Sequence, residues 1–278
     1  MHLVSHLTIR LRGECPMQRC SAMMVILAFL VCCTTIDANA DPSISPHAQT
    51  SSSARGYYPP SASRPARISA SQYWALSAGG MLSENNQEPM DRVITGDPVT
   101  AQDIAKQKQR MSQSWQVSDR ASLLQTLSWL EKEGHRAAWD ELARYQSSGG
   151  LALNSVAAKY KLDPNEMNDK VVLVRKYSPS FGRKSILAWD YGRYINVCRW
   201  GVTCGYLSES EAWRYMMPIA RTIQRTFSSW NDFGLNYIVG RQFWDNTSDP
   251  ETLQMYQWLC SSPESPWKKA AWNTDLSR

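Results

Sequence analysis

Histidine is scarce in this chain, with only His2, His6, His47 and His135 among 278 residues. The first two precede a leader-like segment and His47 lies in a Ser- and Pro-rich stretch, so His135 alone falls where the pattern predicts a fold. That excludes a two-histidine metal site such as H-E-x-x-H and leaves a Ser-His-Asp triad one imidazole to use. No cysteine pair has zinc-knuckle spacing, and no G-x-S-x-G elbow, phosphate-binding glycine loop or dinucleotide fingerprint occurs. No metal or cofactor is implied. Basic residues never run longer than a pair, which argues against the clustered cationic face of a nucleic-acid binder. No segment alternates with a strand's period and no fixed-length repeat is present, so little or no sheet is expected.

Long apolar runs are also missing. The longest, Ala22 to Cys33, rises only ~18 Å as a helix against a hydrocarbon core of ~30 Å, which disfavours a permanent membrane span. Arg19 stands just before this run, and a polar stretch ending Ala38-Asn39-Ala40 follows it. Charged start, apolar middle and A-x-A ending make residues 1–40 a secretory signal peptide, with 1–16 a possible upstream mis-start. An uncleaved anchor and a lipid-modified Cys32 or Cys33 are the alternatives. Residues 41–69, rich in Ser, Pro and Ala, bury too little apolar surface to offset ordering and are expected to be a flexible linker. The mature protein is therefore expected to be exported, periplasmic or secreted. Past residue 40 the chain keeps 27 basic against 23 acidic groups, a mild excess.

What is abundant is aromatic residues at helical spacing. From Ala188 to Trp244 the chain reads AWDYGRYINVCRWG, SESEAWRYMMPIARTIQRTFSSW and NDFGLNYIVGRQFW, with apolar residues at three- and four-residue steps. Helix starts are marked by Thr100 with Asp103 and by Ser208 with Glu211, both capping-box pairs, and by Asp163-Pro164 and Asp249-Pro250. Gly134 stands where a C-cap glycine belongs. One helix is predicted over 182–200, and Pro218 is expected to kink or split the next. Gly240 offers a neighbouring helix close approach. The class is all-α: a single compact multi-helix domain over 70–261 with an aromatic-rich core, then a C-terminal tail over 262–278.

Asp190 lies between Ile186 and Tyr194 at helical steps, so it borders the apolar face, and a carboxylate there requires a partner. Arg193, Arg221 and Arg241 are the candidates, and a structural ion pair of Asp190 with Arg193 or Arg241 is the expectation. The catalytic alternative sets Asp190 opposite Glu211 or Asp232 on the two-carboxylate logic of glycoside cleavage. His135, just after a helix end, is read as a cap or hydrogen-bonded group before a catalytic base. Of the cysteines past the leader, Cys198, Cys204 and Cys260, three pairings are possible. The local bridge Cys198–Cys204 across CRWGVTC is favoured for an oxidising compartment.

The blocks Trp74 to Ala78, Gly134-His135-Arg136, Ala188-Trp189-Asp190 with Arg193, Glu211-Ala212-Trp213, and Ser229-Trp230 through Phe233-Gly234 and Tyr237 to Gly240-Arg241 carry a resemblance. From Gln72 to Asp245 the chain resembles the bacterial domain-of-unknown-function family typified by YbeU and YbeR. The resemblance implies a single mainly helical domain and no reaction. The functional expectation is an exported binding module whose partner is another envelope protein, in a narrower form one that neutralises an incoming toxin. The rivals are a glycan or cell-wall hydrolase using Asp190 and Glu211 and a purely structural envelope component.

Overall fold

A helix enclosed on every side must find partners inside the protein for whatever polar groups it carries. The block from Ala188 onward is such a helix. The computed structural model of the chain describes residues 68–96, 99–147 and 153–277. Within it, Leu187–Thr203 is a single helix whose residues from Ala188 to Thr203 are all buried. The expected signal peptide and the expected linker up to residue 67, and with them Cys32, Cys33 and His47, lie outside the described residues.

In chain order the elements are α1 (Ala70–Ser77), α2 (Gly80–Asn85), α3 (Ala101–Trp115), α4 (Arg120–Lys132), α5 (Arg136–Ser147), α6 (Leu153–Tyr160), α7 (Met167–Phe181), α8 (Leu187–Thr203), α9 (Glu209–Thr226), α10 (Trp230–Asp245), α11 (Pro250–Ser261) and α12 (Pro266–Lys269). Single 3-10 turns at Pro164–Glu166 and Gly182–Lys184 join some of them, and no strand occurs among the described residues. Around α8 pack α4, α9 and α10, with α2 and α3 on its remaining sides. The core built on α8 draws on α1 to α4 and α9 to α12; a smaller one lies under α5, α6 and α7 and includes Ile186, Val239 and Phe243.

Local chemistry explains the boundaries. Thr100–Asp103 and Ser208–Glu211 both close reciprocal capping boxes, and so does Asp119 with Ser122. Pro218 does not split α9. Pro218 and Arg214 both face solvent, so the carbonyl that loses its partner can be hydrated instead. The helix predicted over 182–200 is broken early and runs late. Ser185, held at φ +53° beyond the turn Gly182–Lys184, interrupts it, and α8 continues through Thr203 with Cys204 as its cap.

The late end overturns the expected Cys198–Cys204 bridge. Cys198, Cys204 and Cys260 are all free thiols. Six residues along one helix separate the first pair by about 9 Å of rise, beyond the ~7 Å between Cα atoms that a disulfide tolerates.

Residues past 261 are also not a tail. Trp267 is 4% exposed, and its indole N–H donates to the Ser77 carbonyl at 2.8 Å. Trp230 donates to the Ala270 carbonyl at 2.7 Å and Trp74 to that of Trp272 at 3.2 Å. The Trp74, Trp230, Trp267 and Trp272 rings pack together at centroid distances of 4.6 to 5.5 Å, Trp230 stacked on Trp267 and the other pairs tilted or edge-on, so the C-terminal segment locks α1 to α10.

Candidate functional site

Titratable side chains converge most densely where the end of α4, the start of α5, the first turns of α8 and the end of α10 meet. Gly134 turns the chain between α4 and α5 at φ +58°, and a Cβ there would stand 2.1 Å from Asp190 Oδ2. Only glycine lets the carboxylate reach that turn. Asp190 is 0% exposed. Its Oδ1 accepts from the His135 backbone N–H at 3.0 Å and from Arg193 Nη2 at 2.7 Å. Its Oδ2 accepts from the Arg136 backbone N–H at 3.2 Å and from Arg136 Nη1 at 3.0 Å.

A carboxylate from the central helix thus caps the first turn of α5, a role usually played by a residue adjacent in sequence. The same pairing links the two hydrophobic clusters. Burial alone would push the Asp190 carboxyl up, but the Arg193 and Arg136 guanidinium charges outweigh it and hold it below the ordinary carboxylate range. Arg136 has further work: its guanidinium donates to the Leu130 carbonyl at 2.7 Å and to that of Glu131, holding the last turn of α4.

His135 sits against this cluster. Its Nδ1 is 2.8 Å from Arg193 Nη2 and 3.8 Å from Asp190 Oδ1, so the guanidinium bridges imidazole and carboxylate. A guanidinium only donates, so Nδ1 accepts and the ring's proton is on Nε2. Burial pushes the imidazole down to about 4, with Arg193 acting the same way against Asp190, and the ring is neutral near pH 7. In a Ser-His-Asp triad the acid accepts from Nδ1–H; here Nδ1 is itself the acceptor.

The remaining candidates lie apart. Arg241 pairs with Asp245 at 3.3 Å and Asp249 at 2.9 Å, and Arg221 donates to the Leu276 carbonyl at 3.1 Å; neither reaches Asp190. Glu211 accepts from the Ser208 backbone N–H at 2.9 Å and from Arg120 at 2.7 Å, contacts that lower its carboxyl to about 2. It opens α9, and most of α8, about 20 Å of helix, lies between it and Asp190. Asp232 is bound by Lys184 at 2.7 Å and caps the Ser228 N–H. Burial raises the thiols of Cys198, Cys204 and Cys260, Cys204 to about 12, which keeps them protonated and poor nucleophiles.

Sequence reasoning missed two positions. Arg136 was visible in the Gly134-His135-Arg136 block but not as a partner of Asp190, 54 residues away. Arg199, fully buried, donates to Ser83 Oγ at 2.6 Å and to the Val93 and Pro89 carbonyls, holding the irregular segment after α2 against α8. Asn196, which accepts the Ser83 hydroxyl at 2.8 Å, adds a second buried polar tie between α8 and α2.

The family profile described as "Protein of unknown function (DUF1266)" matches residues 110–272. The chain belongs to this family. Two DUF1266-like relatives of Escherichia coli (strain K12) are similar to it: "Uncharacterized protein YbeR", 29% identical over 150 residues, and "Uncharacterized protein YbeU", 26% identical over 165 residues. The alignments cover 54% and 53% of this chain and 63% and 65% of those proteins, so less than two thirds of each relative's length is matched. No solved structure matches. The DUF1266 match takes in the whole Gly134–Asp190–Arg193 cluster and extends beyond the expected domain end at 261, through α12 to Trp272. No helix among the described residues is long and apolar enough to cross a membrane.

Proposed function

We propose that this DUF1266 protein is exported and acts outside the cytoplasm as a binding module for another envelope protein, without catalysing a reaction. One observation carries the non-catalytic half. Asp190, the acid on which the hydrolase reading depends, is wholly enclosed and already accepts four hydrogen bonds. Glycoside cleavage needs two carboxyl groups ~5–10 Å apart across the scissile bond. Glu211 stands at the other end of α8, tied to Ser208 and Arg120. Support for export comes from the charged start, apolar run and A-x-A ending within residues 17–40.

Both halves are open to direct test. Residues 1–69 fused to alkaline phosphatase, which is active only once outside the cytoplasm, are expected to give phosphatase activity; an inactive, intact fusion would refute export. The purified chain incubated with cell-wall glycan is expected to release no new reducing ends. Release that disappears in both Asp190→Asn and Glu211→Gln would restore the hydrolase.

A further inference from the structure

The Asp190 carboxylate is fully spent, but the imidazole beside it is only half committed. With Nδ1 accepting from Arg193, the His135 Nε2–H points its donor elsewhere and has no acceptor among the described residues. One fifth of the side chain is exposed. Three indoles surround the ring, Trp129 edge-on at 5.2 Å, Trp189 at 6.4 Å and Trp244 at 6.5 Å between centroids. Trp129 and Trp244 are partly open to solvent. Trp189 is buried, and its Nε1–H also lacks an acceptor. The open edge of this aromatic corner therefore holds one uncommitted donor, the His135 Nε2–H, while the Trp189 N–H is enclosed.

Arg136 and Arg193 share the Asp190 carboxylate, Arg193 and Lys170 both act on the imidazole as positive charges, Glu166 pairs with Lys170, and Asp140 lies within electrostatic reach of Arg136. Three indoles by themselves would suit a cation over their faces. Here the guanidinium 4.1 Å from the Trp189 ring already fills that role, and a second cation would meet two arginines. A carboxylate at the open edge would meet the His135 Nε2–H with the Arg193 charge behind it and indole rings that thin the water around it, conditions that favour a charge-assisted hydrogen bond.

We infer that the corner formed by Trp129, His135, Trp189 and Trp244 is a carboxylate-binding site, with His135 Nε2–H as the primary donor. The carboxylate can come from an acidic side chain of a protein partner, which rests on the binding role proposed above, or from a free small acid, which does not.

The test is an NMR titration of the full chain, following the His135 ring and the Trp129 and Trp244 indole N–H signals. The probes are sodium acetate, sodium chloride at equal ionic strength, an acetylated peptide with one glutamate, and the same peptide with glutamine. Expected are saturable shifts with acetate and with the glutamate peptide, the peptide saturating at least tenfold lower in concentration, and none with chloride or the glutamine peptide. His135→Gln, which keeps an acceptor for Arg193 and an outward donor, should retain part of the response; Trp129→Ala should weaken it. Saturation by acetate alone supports the site and removes the protein side chain as its source. Signals that do not move, that move equally with chloride, or that respond unchanged in a folded His135→Phe variant would overturn the inference.

Discussion

At the scale of single residues, Ser185 is the clearest place where the backbone works against its side chain. It is buried at φ +53°, a conformation that costs a residue with a Cβ of order 1–3 kcal/mol. It is held there because Asn236 clamps the turn, donating to the Ser185 carbonyl at 2.7 Å and accepting from the Ala188 N–H at 3.0 Å. Ser185→Gly should therefore stabilise the chain by about 1 kcal/mol after glycine's added unfolded-state freedom is subtracted. Urea unfolding would check it; an equal or lower midpoint with an unchanged slope would show that the turn stores no strain. Asp190 is the opposite case. Its i, i+3 relation to Arg193 could be read in the sequence, but the backbone N–H groups of His135 and Arg136 could not, because capping across 54 residues leaves no local spacing to read.

At the scale of elements, the start of most helices was legible and the ends were less so. Thr100, Ser208, Asp163 and Asp249 announce their helices through their own side chains. Gly240 was legible as a point of close approach, and a Cβ there would lie 2.3 Å from Trp189 Cβ. Ends depend on what the helix meets: α8 runs to Thr203 because α4 and α9 continue to cover it, which no residue near Trp200 encodes. Segment 262–277 carried too short a pattern to be recognised, since α12 is a single turn whose tryptophan packs on Trp230, far away in sequence. It follows that a chain stopped after Ser262 should lose the Trp267 and Trp272 packing on Trp74 and Trp230. Loss of one buried tryptophan typically costs 3–5 kcal/mol, so the truncated chain should be largely unfolded at 37 °C by circular dichroism. A cooperative melt within a few degrees of the full chain would show that the segment is dispensable.

At the scale of the whole molecule, one imidazole couples stability to pH. An unfolded histidine titrates near 6.5 and His135 in the fold at about 4, so between these values the unfolded chain binds the extra proton. Stability from this source is complete above about pH 6.5 and is lost as the pH falls towards 4, by about 3 kcal/mol in all. Comparison with His135→Gln isolates it from carboxylates in the same range, such as Glu88, whose carboxyl burial raises. The difference between the two proteins' unfolding free energies should shrink or reverse as the pH is lowered from 7 to 4.5. A constant difference would place His135 in water.

The same residues that mark the DUF1266 resemblance, Gly134, His135, Arg136, Trp189, Asp190 and Arg193, meet around one enclosed carboxylate, and their first task is to join α5 to α8. The most direct measurement is the unfolding free energy of Asp190→Asn beside the native chain at pH 7. Removing one charge of a buried pair leaves Arg136 and Arg193 uncompensated and should cost about 3–5 kcal/mol. An unchanged stability, above all with loss of a biological activity, would mean that Asp190 serves chemistry and not the fold.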